Sequence, residues 1–536
     1  MSFDLHSNSE DLPQTRNWRL YIMTVIMSMG SLASATSAIG GTIVLDSFKQ
    51  DFGLNNISQH ELDTLQGSII STFQAGTFFG TILTFPIGEK IGRKGAIIFA
   101  SAISLIGGIL MTAANGHLSL IYAGRAISGF GIGSVSLLVP VYISETAPAS
   151  IRGRLVGIFE IFSQTGGMAG FWINYVVHKA VSADKKLQWI IPLALQILPC
   201  LFLLCGGFWC PETPRWYAKR SRWEECSQTL AWTRNLPPDH KQVKAEIDDM
   251  VVATSRSSRN IHRYRLNNLK WYISRLLQQG TRNRIGIGVL LTAMQNLTGV
   301  NIITFSSPRI FGTLGVEGTD DKLLATGFYG LAKFLGIVVF SLWLVEKLGR
   351  RQGLVWGAFF GSIPIWYLGG YVCKNEHITA VAQQGDMERS SWGYLAILSV
   401  YLYGLICSAT WQVITSVYCS EIFPSDIRML CVAITTSNQW LWSFVVSRTT
   451  PYMITYLGYG TWVLFASLMV AMGIWAWLFV PETKGNTLEE MEVIFGAIPQ
   501  QDLVQNRKSL EFDIEKRTDE STDSSRRVSF ELNPHV

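Results

Sequence analysis

Charged residues and cysteines are scarce in this sequence. Asp, Glu, Lys and Arg make up 15% of its 536 residues, hydrophobic residues make up 48%, and the mean hydropathy is +0.24. Soluble domains contain about 25% charged residues, so this composition argues against a series of soluble domains. Only 8 residues are cysteine, and most lie inside apolar runs, which argues against a disulfide framework.

Patterns typical of catalysis and of metal or nucleotide binding are also lacking. The sequence has no reliable pair of catalytic acids, metal-ligand spacing or phosphate-binding loop. Gly129, Gly131 and Gly133 lie within one apolar run, at a spacing typical of helix contacts. We therefore expect no enzyme activity, no metal and no cofactor. The net charge of +5 is explained by basic loops beside a membrane, so no nucleic-acid partner is expected.

Long apolar runs are abundant, and they indicate an all-α membrane protein in a lipid bilayer. A helix needs about 20 apolar residues to cross the hydrocarbon core, and the run from Trp462 to Val480 has no charged side chain. Strands of a β-barrel would be shorter and would alternate. The twelve predicted segments are residues 19–45, 67–87, 96–114, 118–141, 155–177, 188–209, 283–306, 323–345, 353–372, 392–418, 429–456 and 460–480.

Lysine and arginine are concentrated in alternate loops. Residues 210–284 contain fifteen of them, and the links 88–95, 144–154 and 346–351 are also basic. Basic loops mark the cytoplasmic side of a membrane protein. Because the number of segments is even, we expect both termini in the cytoplasm. The polar start, residues 1–17, shows no cleavable signal peptide.

Three short motifs occur twice, once in each half of the chain. The pairs are Glu89 to Lys94 with Glu346 to Arg351, Ser144 to Arg152 with Ser420 to Arg428, and Pro211 to Thr213 with Pro481 to Thr483. The displacements within the pairs are 257, 276 and 270 residues, close to a constant six segments. The sequence therefore predicts two pseudo-symmetric bundles of six helices each.

The repeated motifs all fall at predicted cytoplasmic ends of helices. A single charge there would most often be a solvated topology marker, but the duplicated spacing favours an ion-pair network that joins helix ends. We expect this network to hold the cytoplasmic side closed in one conformational state. Its predicted members are Arg93, Glu145, Arg152, Glu212, Arg215, Arg350, Glu421, Arg428 and Glu482.

The repeat divides the chain into five predicted parts. They are a cytoplasmic N-terminal tail (1–18), a first bundle (19–209), a cytoplasmic linker with short helices (210–282), a second bundle (283–482) and a disordered cytoplasmic tail (483–536). Ser529 in the tail ends a pattern that resembles a basophilic kinase site, and Asn56 begins an N-glycosylation sequon in a predicted outer loop.

The motifs resemble those of the sugar porter family of the major facilitator superfamily. The matching residues are Gly92-Arg93-Lys94, Gly124-Arg125, Pro211-Glu212-Thr213-Pro214-Arg215, Gly349-Arg350-Arg351 and Pro481-Glu482-Thr483-Lys484-Gly485. Together they span both halves of the chain. The resemblance implies twelve helices, a central site between two bundles, and alternating access driven by rocking of the halves.

The fifth segment resembles the fungal quinate-permease branch of that family. This likeness is carried by the stretches from Phe159 to Gly167 and from Gly170 to Tyr175. Sugar porters usually have a substrate-binding glutamine where this chain has Glu160. An intramembrane carboxyl is costly against lipid, so the face of Glu160 should point inward. Helix packing and contact with substrate or protons are equally compatible with that position. The same helical face includes Gln164, Gly167, Phe171 and Asn174.

The seventh segment carries amides at the family's usual binding positions. Gln295 and Asn301 lie about 120° apart on an ideal helix, so they share one cavity only if the helix breaks near Gly299. Amides suit polyhydroxylated ligands because they both donate and accept hydrogen bonds, although interhelical bonding is the alternative. The predicted substrate-binding residues are Glu160, Gln164, Gln295, Asn296, Asn301, Trp411 and Gln439.

Several positions depart from a typical glucose site. Phe305 and Ser306 replace the family's paired tyrosines, and Ser416 replaces a second tryptophan. The first segment has Ser34-Ala35-Thr36 where proton-coupled relatives commonly have an aspartate, the usual partner of Arg125. Transport is then either passive or coupled to protons through another acid. We favour facilitated transport, with Arg125 and Glu160 as the candidate coupling residues.

The resemblance implies a secondary transporter that functions as a monomer in the plasma membrane. Its expected substrate is a small polyhydroxylated molecule, namely a monosaccharide, a polyol or a sugar-like acid such as quinate. A non-transporting nutrient sensor of the same fold and an exporter of a pathway metabolite are the alternatives. The intact Arg152-Gly153-Arg154 and the moderate tail favour a transporter over a sensor.

Overall fold

The computed structural model describes most of the chain as long helices joined by short connections. The described residues are 17–36, 42–43, 45–54, 58–148, 151–182, 184–248, 250–251, 269–316, 318–381, 391–424, 427–484 and 495. Asn56 and Ser529, with their predicted modifications, lie outside these residues, as do the first 16 residues and almost all of the predicted C-terminal tail. The predicted domain boundaries remain predictions.

Twelve long helical units, here called spans 1 to 12, follow one another along the chain. Spans 1 to 6 are Trp18–Thr36, Gln59–Ile91, Arg93–Thr112, Leu118–Thr146, Arg152–Ala180 and Leu187–Trp209. Spans 7 to 12 are Gln279–Thr313, Thr319–Leu344, Arg350–Val381, Ser391–Glu421, Arg428–Leu457 and Gly460–Phe479. Shorter helices outside the spans are Asp46–Asp51, Pro214–Lys219, Trp223–Arg234 and Leu269–Leu276.

Local sequence fixes where span 2 begins and ends. At its start, the Ser58 hydroxyl accepts a hydrogen bond from the Glu61 N–H, and the Glu61 carboxylate accepts one from the Ser58 N–H. This reciprocal pair satisfies two N–H groups that lack helical partners. At its end, Gly92 has a φ of +96°, a left-handed conformation that favours glycine and turns the chain directly into span 3.

The spans have the composition and surface of membrane helices. Nine of the twelve are long and apolar enough to cross a membrane, as judged from their described residues. Span 5 is not among these nine, since Glu160 and Gln164 lower its hydropathy. Large apolar side chains face outward, for example Phe202 and Trp477, which are 65% and 59% exposed. Such a surface fits lipid contact, and the chain is a multi-pass membrane protein.

The spans pack in two related bundles, as predicted. In the first, span 4 packs on spans 2 and 3, span 3 on span 6, and span 1 on span 5. In the second, span 10 packs on spans 8 and 9, span 9 on span 12, and span 7 on span 11. The bundles meet where span 2 packs on span 11 and span 5 on span 8. Each contact in the first bundle has an equivalent in the second, and exchanging the halves turns the contact of spans 2 and 11 into that of spans 8 and 5. The two bundles are therefore related by a two-fold pseudo-symmetry.

Glycines bring the backbones of the first bundle close together. A Cβ atom at Gly133 would lie 2.1 Å from the Thr77 carbonyl oxygen of span 2, and one at Gly131 would lie 2.6 Å from the Ala100 carbonyl oxygen of span 3. Neither position has room for a larger residue. The prediction that these glycines are helix contacts is confirmed.

The linker holds the first bundle at the end that carries the basic links, here called the basic end. The Asn17 side chain donates a hydrogen bond of 2.6 Å to the Thr233 carbonyl. Arg234 donates one of 2.7 Å to the Thr146 carbonyl at the end of span 4, and its guanidinium pairs with Glu246 at 2.8 Å. The helix Trp223–Arg234 is therefore fastened both to span 4 and to the start of span 1.

Candidate functional site

A cavity of about 260 Å³ lies between the two bundles. Its walls come from spans 1, 2, 4 and 5 of the first bundle and from spans 7, 8, 10 and 11 of the second. The structure brings all seven predicted substrate-binding residues and Arg125 to this cavity. These residues are Glu160, Gln164, Gln295, Asn296, Asn301, Trp411, Gln439 and Arg125. Their roles toward a substrate remain predictions.

Span 7 is broken in its middle, as predicted from the different helical faces of Gln295 and Asn301. Its first helix ends at Leu297 and its second begins at Val300, with Gly299 between them at a φ of +89°. A Cβ atom at Gly299 would also lie 3.0 Å from the Phe465 ring of span 12. Conformation and space therefore both favour glycine. The break turns Gln295 and Asn301 toward one cavity, and this prediction is confirmed.

Asn296 uses its side chain to hold spans 7 and 11 together. Its amide nitrogen donates hydrogen bonds of 3.0 Å to the carbonyls of Thr292 and Gln439. Its amide oxygen accepts a bond of 2.7 Å from the Asn301 side chain. Asn296 therefore forms the interhelical hydrogen bonds that were the alternative to ligand binding. Its bond to the Asn301 side chain fixes the position of Asn301 beside the cavity.

Three glutamines keep their amides available to a ligand. Gln164, Gln295 and Gln439 line the cavity, and their side chains form no hydrogen bond with another described residue. They come from spans 5, 7 and 11, so they surround the cavity from both bundles. Each amide offers two donors and an acceptor, a combination that matches hydroxyl groups on a small ligand.

Glu160 is buried at the boundary of the two bundles. It is 9% exposed, and its side chain lies close enough to that of Ser416 in span 10 for the two to interact. Glu160 replaces a glutamine and Ser416 replaces a tryptophan of the resembled family, so two departures meet across the cavity. The face predicted to point inward continues along span 5 with Gln164, Gly167 and Phe171. Asn174 instead accepts a bond from Thr42 at 3.0 Å and donates one to the Gly170 carbonyl.

Arg125 and Trp411 are both almost fully buried in the cavity wall. The Arg125 guanidinium lies 4.4 Å from the centre of the Phe73 ring and donates a hydrogen bond of 3.3 Å to the Ile69 carbonyl. Ser34 lines the same cavity. The Trp411 indole N–H has no hydrogen-bond partner among the described residues. Trp411 thus offers one donor together with a large apolar surface.

Lys333 is a cavity residue that sequence reasoning missed. It lies in span 8, is 5% exposed, and lines the cavity. Its ammonium group donates a hydrogen bond of 3.2 Å to the Thr304 hydroxyl and lies 5.8 Å from the centre of the Tyr329 ring. A signal was available, because Lys333 is the single charged residue in the predicted segment 323–345. Ionisable residues inside membrane segments are costly and mark functional positions.

At the basic end of the first bundle, Arg93 joins two carboxylates. Its guanidinium lies 3.1 Å from Glu145 and 2.9 Å from Glu89, and it is 1% exposed. Glu145 also accepts a hydrogen bond of 2.7 Å from the Thr213 hydroxyl. Arg215 lies close enough to Glu145 to interact with it electrostatically. The ends of spans 2, 3 and 4 are thereby linked through one buried cluster.

The second bundle repeats part of this cluster. Arg350 of span 9 lies 3.2 Å from Glu421 of span 10, which matches the Arg93 and Glu145 pair of the first bundle. Arg152, which begins span 5 of the first bundle, interacts electrostatically with Glu421. Arg428 donates to the Phe423 carbonyl in the preceding turn at 3.4 Å. Through Arg152, the Arg350 and Glu421 pair also interacts with the first bundle.

The repeated glutamates Glu212 and Glu482 hold helix starts. Glu212 accepts hydrogen bonds of 3.0 Å from the N–H groups of Arg93 and Lys94, and Glu482 accepts from the N–H groups of Arg350 and Arg351 at 2.9 and 3.1 Å. A carboxylate at a helix start satisfies free N–H groups and opposes the positive end of the helix dipole. We predicted ion pairs for both glutamates, and the structure instead directs their hydrogen bonds to backbone N–H groups.

Burial and hydrogen bonding act in opposite directions on Glu212. Burial raises the pKa of its carboxyl, whereas the backbone N–H donors and the charge of Arg93 lower it. The fit is tight, since a Cβ atom at Gly92 would lie 2.2 Å from the Glu212 carboxylate oxygen. In the second bundle, the equivalent distance from Gly349 to Glu482 would be 2.7 Å. Each copy of the motif therefore pairs a glycine with the glutamate that approaches it.

The bundles touch on both sides of the cavity. At the basic end, a Cβ atom at Gly153 of span 5 would lie 3.3 Å from the Arg350 guanidinium. At the opposite end, Arg448 of span 11 donates a hydrogen bond of 2.8 Å to the Ser68 hydroxyl of span 2. There too, Lys179 in the last turn of span 5 lies 3.4 Å from Asp320 at the start of span 8. The cavity thus lies between two sets of contacts that cross the bundle boundary.

Comparisons with known proteins agree with this architecture. Residues 22–495 match the family model described as sugar (and other) transporter. The chain is 38% identical over 501 residues to the quinate permease of Emericella nidulans, covering 91% of each chain. It is 36% identical over 497 residues to the probable quinate permease of Neosartorya fischeri, covering 91% of this chain and 90% of the relative.

A solved structure gives the same fold. The proton:xylose symporter XylE bound to 6-bromo-6-deoxy-D-glucose matches with a TM-score of 0.76 and 26% identity, covering 89% of this chain and all of the symporter. The two pseudo-symmetric bundles of six helices are those of the major facilitator fold. The chain therefore belongs to the sugar (and other) transporter family and is a secondary transporter.

Proposed function

We propose that this transporter moves a small polyhydroxylated molecule, either a sugar or a sugar-like acid of the quinate type, through the central cavity. The observation that carries the proposal is the ring of glutamine amides, contributed by both bundles and left available by the protein itself. A cavity of about 260 Å³ suits a molecule smaller than drug-sized ligands, which occupy pockets of about 300–1,000 Å³. The relatives are named for quinate and the solved structure for xylose.

Within this proposal, the polar residues divide into two groups. Gln164, Gln295 and Gln439 bind ligand hydroxyls, while Asn296 positions Asn301 through its own hydrogen bonds. Trp411 supplies an apolar face and an unpaired N–H donor. A ligand held from both bundles lowers the free energy of the enclosed state, because it contacts both only when they are close together.

Alternating access requires one set of cross-bundle contacts to open while the other stays closed. At the opposite end, the contacts that must open are Arg448 with Ser68 and Lys179 with Asp320. At the basic end, the contact between span 5 and the Arg350 and Glu421 pair must open. The Lys179 and Asp320 pair is exposed, and such pairs are weak individually, so this pair alone does not hold the opposite end closed.

We propose facilitated transport, since the part of span 1 that lines the cavity carries Ser34 where proton-coupled members of the resembled family commonly have an aspartate. Glu160 is the residue that would carry protons if transport were coupled. Accumulation of labelled substrate against its gradient, collapsing when an uncoupler is added, would overturn the facilitated mechanism. In that case Glu160→Gln should abolish accumulation while leaving exchange of labelled for unlabelled substrate intact.

The orientation, location and assembly of the protein are also proposals. The basic links at one end support a cytoplasmic position for that end and for both termini. A plasma-membrane location and a monomeric transporter follow the resemblance. Protease protection of a terminal tag in intact cells, together with tagged protein localised by microscopy, tests the first two. Cross-linking in membranes tests the third.

The decisive experiment measures flux in proteoliposomes containing the purified protein. Uptake should be saturable and should be reduced by competitors from a panel of glucose, xylose, a polyol, galacturonate and quinate. Gln295→Ala should raise KM, while Gln228→Ala on the exposed linker surface should match the native protein. Binding without flux would indicate a sensor, and flux that is faster outward than inward in oriented vesicles would indicate an exporter.

A further inference from the structure

The position of Lys333 bears on the chemical class of the substrate. Lys333 lies eleven residues after Lys322, well inside span 8, and is 5% exposed. A buried ammonium group carries a large desolvation cost unless a partner offsets it. Its persistence in the wall of the central cavity therefore points to an anionic partner that is not part of the wall.

The groups around Lys333 are neutral. Thr304 accepts one hydrogen bond from the ammonium group, and the Tyr329 ring contributes a cation–π contact. No carboxylate of a described residue lies within 4.0 Å of it. An ammonium group has three donors, so two remain for a ligand in the cavity.

The aliphatic part of Lys333 is held by close packing. Its Cγ atom would lie 3.4 Å from a Cβ atom placed at Gly404 of span 10, and the Tyr329 ring would lie 2.5 Å from the same Cβ. Glycine at position 404 leaves space for both side chains. The ammonium group is thus delivered to a defined point between spans 7, 8 and 10, rather than moving freely in the cavity.

The other charged groups of the cavity have different engagements. Glu160 faces Ser416 across the bundle boundary, and Arg125 is engaged with the Ile69 carbonyl and the Phe73 ring. Among the described cavity residues, Lys333 is therefore the cation best placed to receive a ligand anion. The amides of Gln164, Gln295 and Gln439 remain for the neutral part of the same ligand.

We propose that Lys333 binds the carboxylate of the substrate and makes the transporter selective for hydroxylated ring acids over neutral sugars. This inference rests on the proposed function and adds the residue that sets its substrate class. A carboxylate would form charge-assisted hydrogen bonds with the ammonium group. A neutral sugar would leave a buried charge unpaired, which disfavours the enclosed state with that ligand.

The test compares an acid with its neutral counterpart in proteoliposomes. The probes are labelled quinate and, as competitors, quinate, the amide of quinate, and xylose. The native protein should prefer quinate to its amide. Lys333→Gln should weaken quinate competition by about 10- to 100-fold, the usual range for a lost charged hydrogen bond, while changing competition by the amide little. Lys333→Arg keeps the charge and should keep much of the preference for the acid.

A matched control and a folding measurement make the result decisive. Lys322→Gln removes a lysine from the start of the same helix and should leave the preference unchanged. Amounts of folded variant are measured by size-exclusion chromatography of the purified proteins. Equal weakening of quinate and its amide in Lys333→Gln would assign Lys333 a structural role and overturn the inference.

The inference and the proposed function fail in different ways. Saturable transport of xylose by native protein, with no preference for quinate over its amide, would overturn the inference and leave the proposed function standing. No saturable flux of any member of the panel through folded native protein would overturn both. An acid preference that survives in Lys333→Gln would place the carboxylate site elsewhere in the cavity.

Discussion

The two halves of the chain have the same residues at the basic end and different residues in the central cavity. At the basic end, the halves carry the same devices: an arginine paired with a glutamate, and a glutamate at a helix start beside a glycine. In the cavity, equivalent positions differ. Applying the repeat displacement of 257 residues relates Lys333 to Gly76, and that of 276 residues relates Glu160 to Thr436.

This difference distinguishes residues that stabilise each bundle from residues that determine ligand selectivity. Devices that both halves keep are those that each bundle needs to hold its own helices together. Positions that have diverged are those where one ligand must be recognised by an asymmetric cavity. Variants at the basic end should therefore change stability. Variants of cavity side chains that form no hydrogen bond within the protein should change affinity and leave stability nearly unaltered.

The largest expected effect is at the basic end. Arg93→Ala leaves Glu145 and Glu89 without their buried cation, and breaking a buried pair costs about 3–5 kcal/mol. Thermal unfolding of the purified protein should shift to much lower temperature. Arg222→Ala, which removes an exposed pair with Glu225 on the linker, should produce no measurable shift. Equal behaviour of the two variants would contradict the structural importance of the cluster.

A somewhat smaller effect is expected at the glycine that adjoins the glutamate. Gly92→Ala places a Cβ atom against Glu212 at a φ of +96°, and such strain costs about 1–3 kcal/mol. Gly370→Ala in span 9 is the matched control, because no atom lies within 4 Å of the added Cβ. Thermal unfolding of both variants checks the prediction, and a stability loss at Gly370 alone would refute it.

The cavity should respond in affinity. Gln164→Ala removes an amide that bonds to no described residue, and loss of a neutral hydrogen bond to the ligand costs about 0.5–1.5 kcal/mol. We expect KM to rise by about 2- to 12-fold with an unchanged unfolding temperature. Asn296→Ala should instead lower both affinity and stability, because it breaks bonds between spans 7 and 11. Uptake kinetics and unfolding of both variants distinguish the two.

The smallest effect is expected where Glu160 of the first bundle faces Ser416 of the second. Ser416→Ala removes the partner of Glu160, and Glu160→Gln keeps a hydrogen-bonding side chain there. Under facilitated transport, Glu160→Gln should alter the rate of exchange by less than about threefold, corresponding to a neutral hydrogen bond of about 0.5 kcal/mol. A loss of uptake driven by an imposed pH gradient would show that Glu160 couples transport to protons.

Much of the architecture could be predicted because it follows from local signals. Apolar length predicted the spans, motif spacing predicted two bundles, and the 120° separation of Gln295 and Asn301 predicted the break at Gly299. Each of these depends on residues near one another in sequence. The family resemblance predicted a central site between the two bundles.

Other parts of the site depend on contacts between distant spans. The approach of Glu160 to Ser416 crosses the bundle boundary, and the helix-start role of Glu212 requires the end of span 6 to meet the start of span 3. Neither of these contacts can be predicted from the spacing of residues in the sequence. Lys333 is a different case, because its position inside an apolar segment can be seen in the sequence. Only its location in the cavity wall could not be predicted without the structure.

The glycines of span 4 have a consequence for how the transporter moves. Spans 2, 3 and 4 meet backbone to backbone at Gly131 and Gly133, with no layer of side chains between them that could slide. We expect these three helices to move together as one rigid unit. We expect bending instead at Gly299, which interrupts span 7 without lying between helices that are packed this closely.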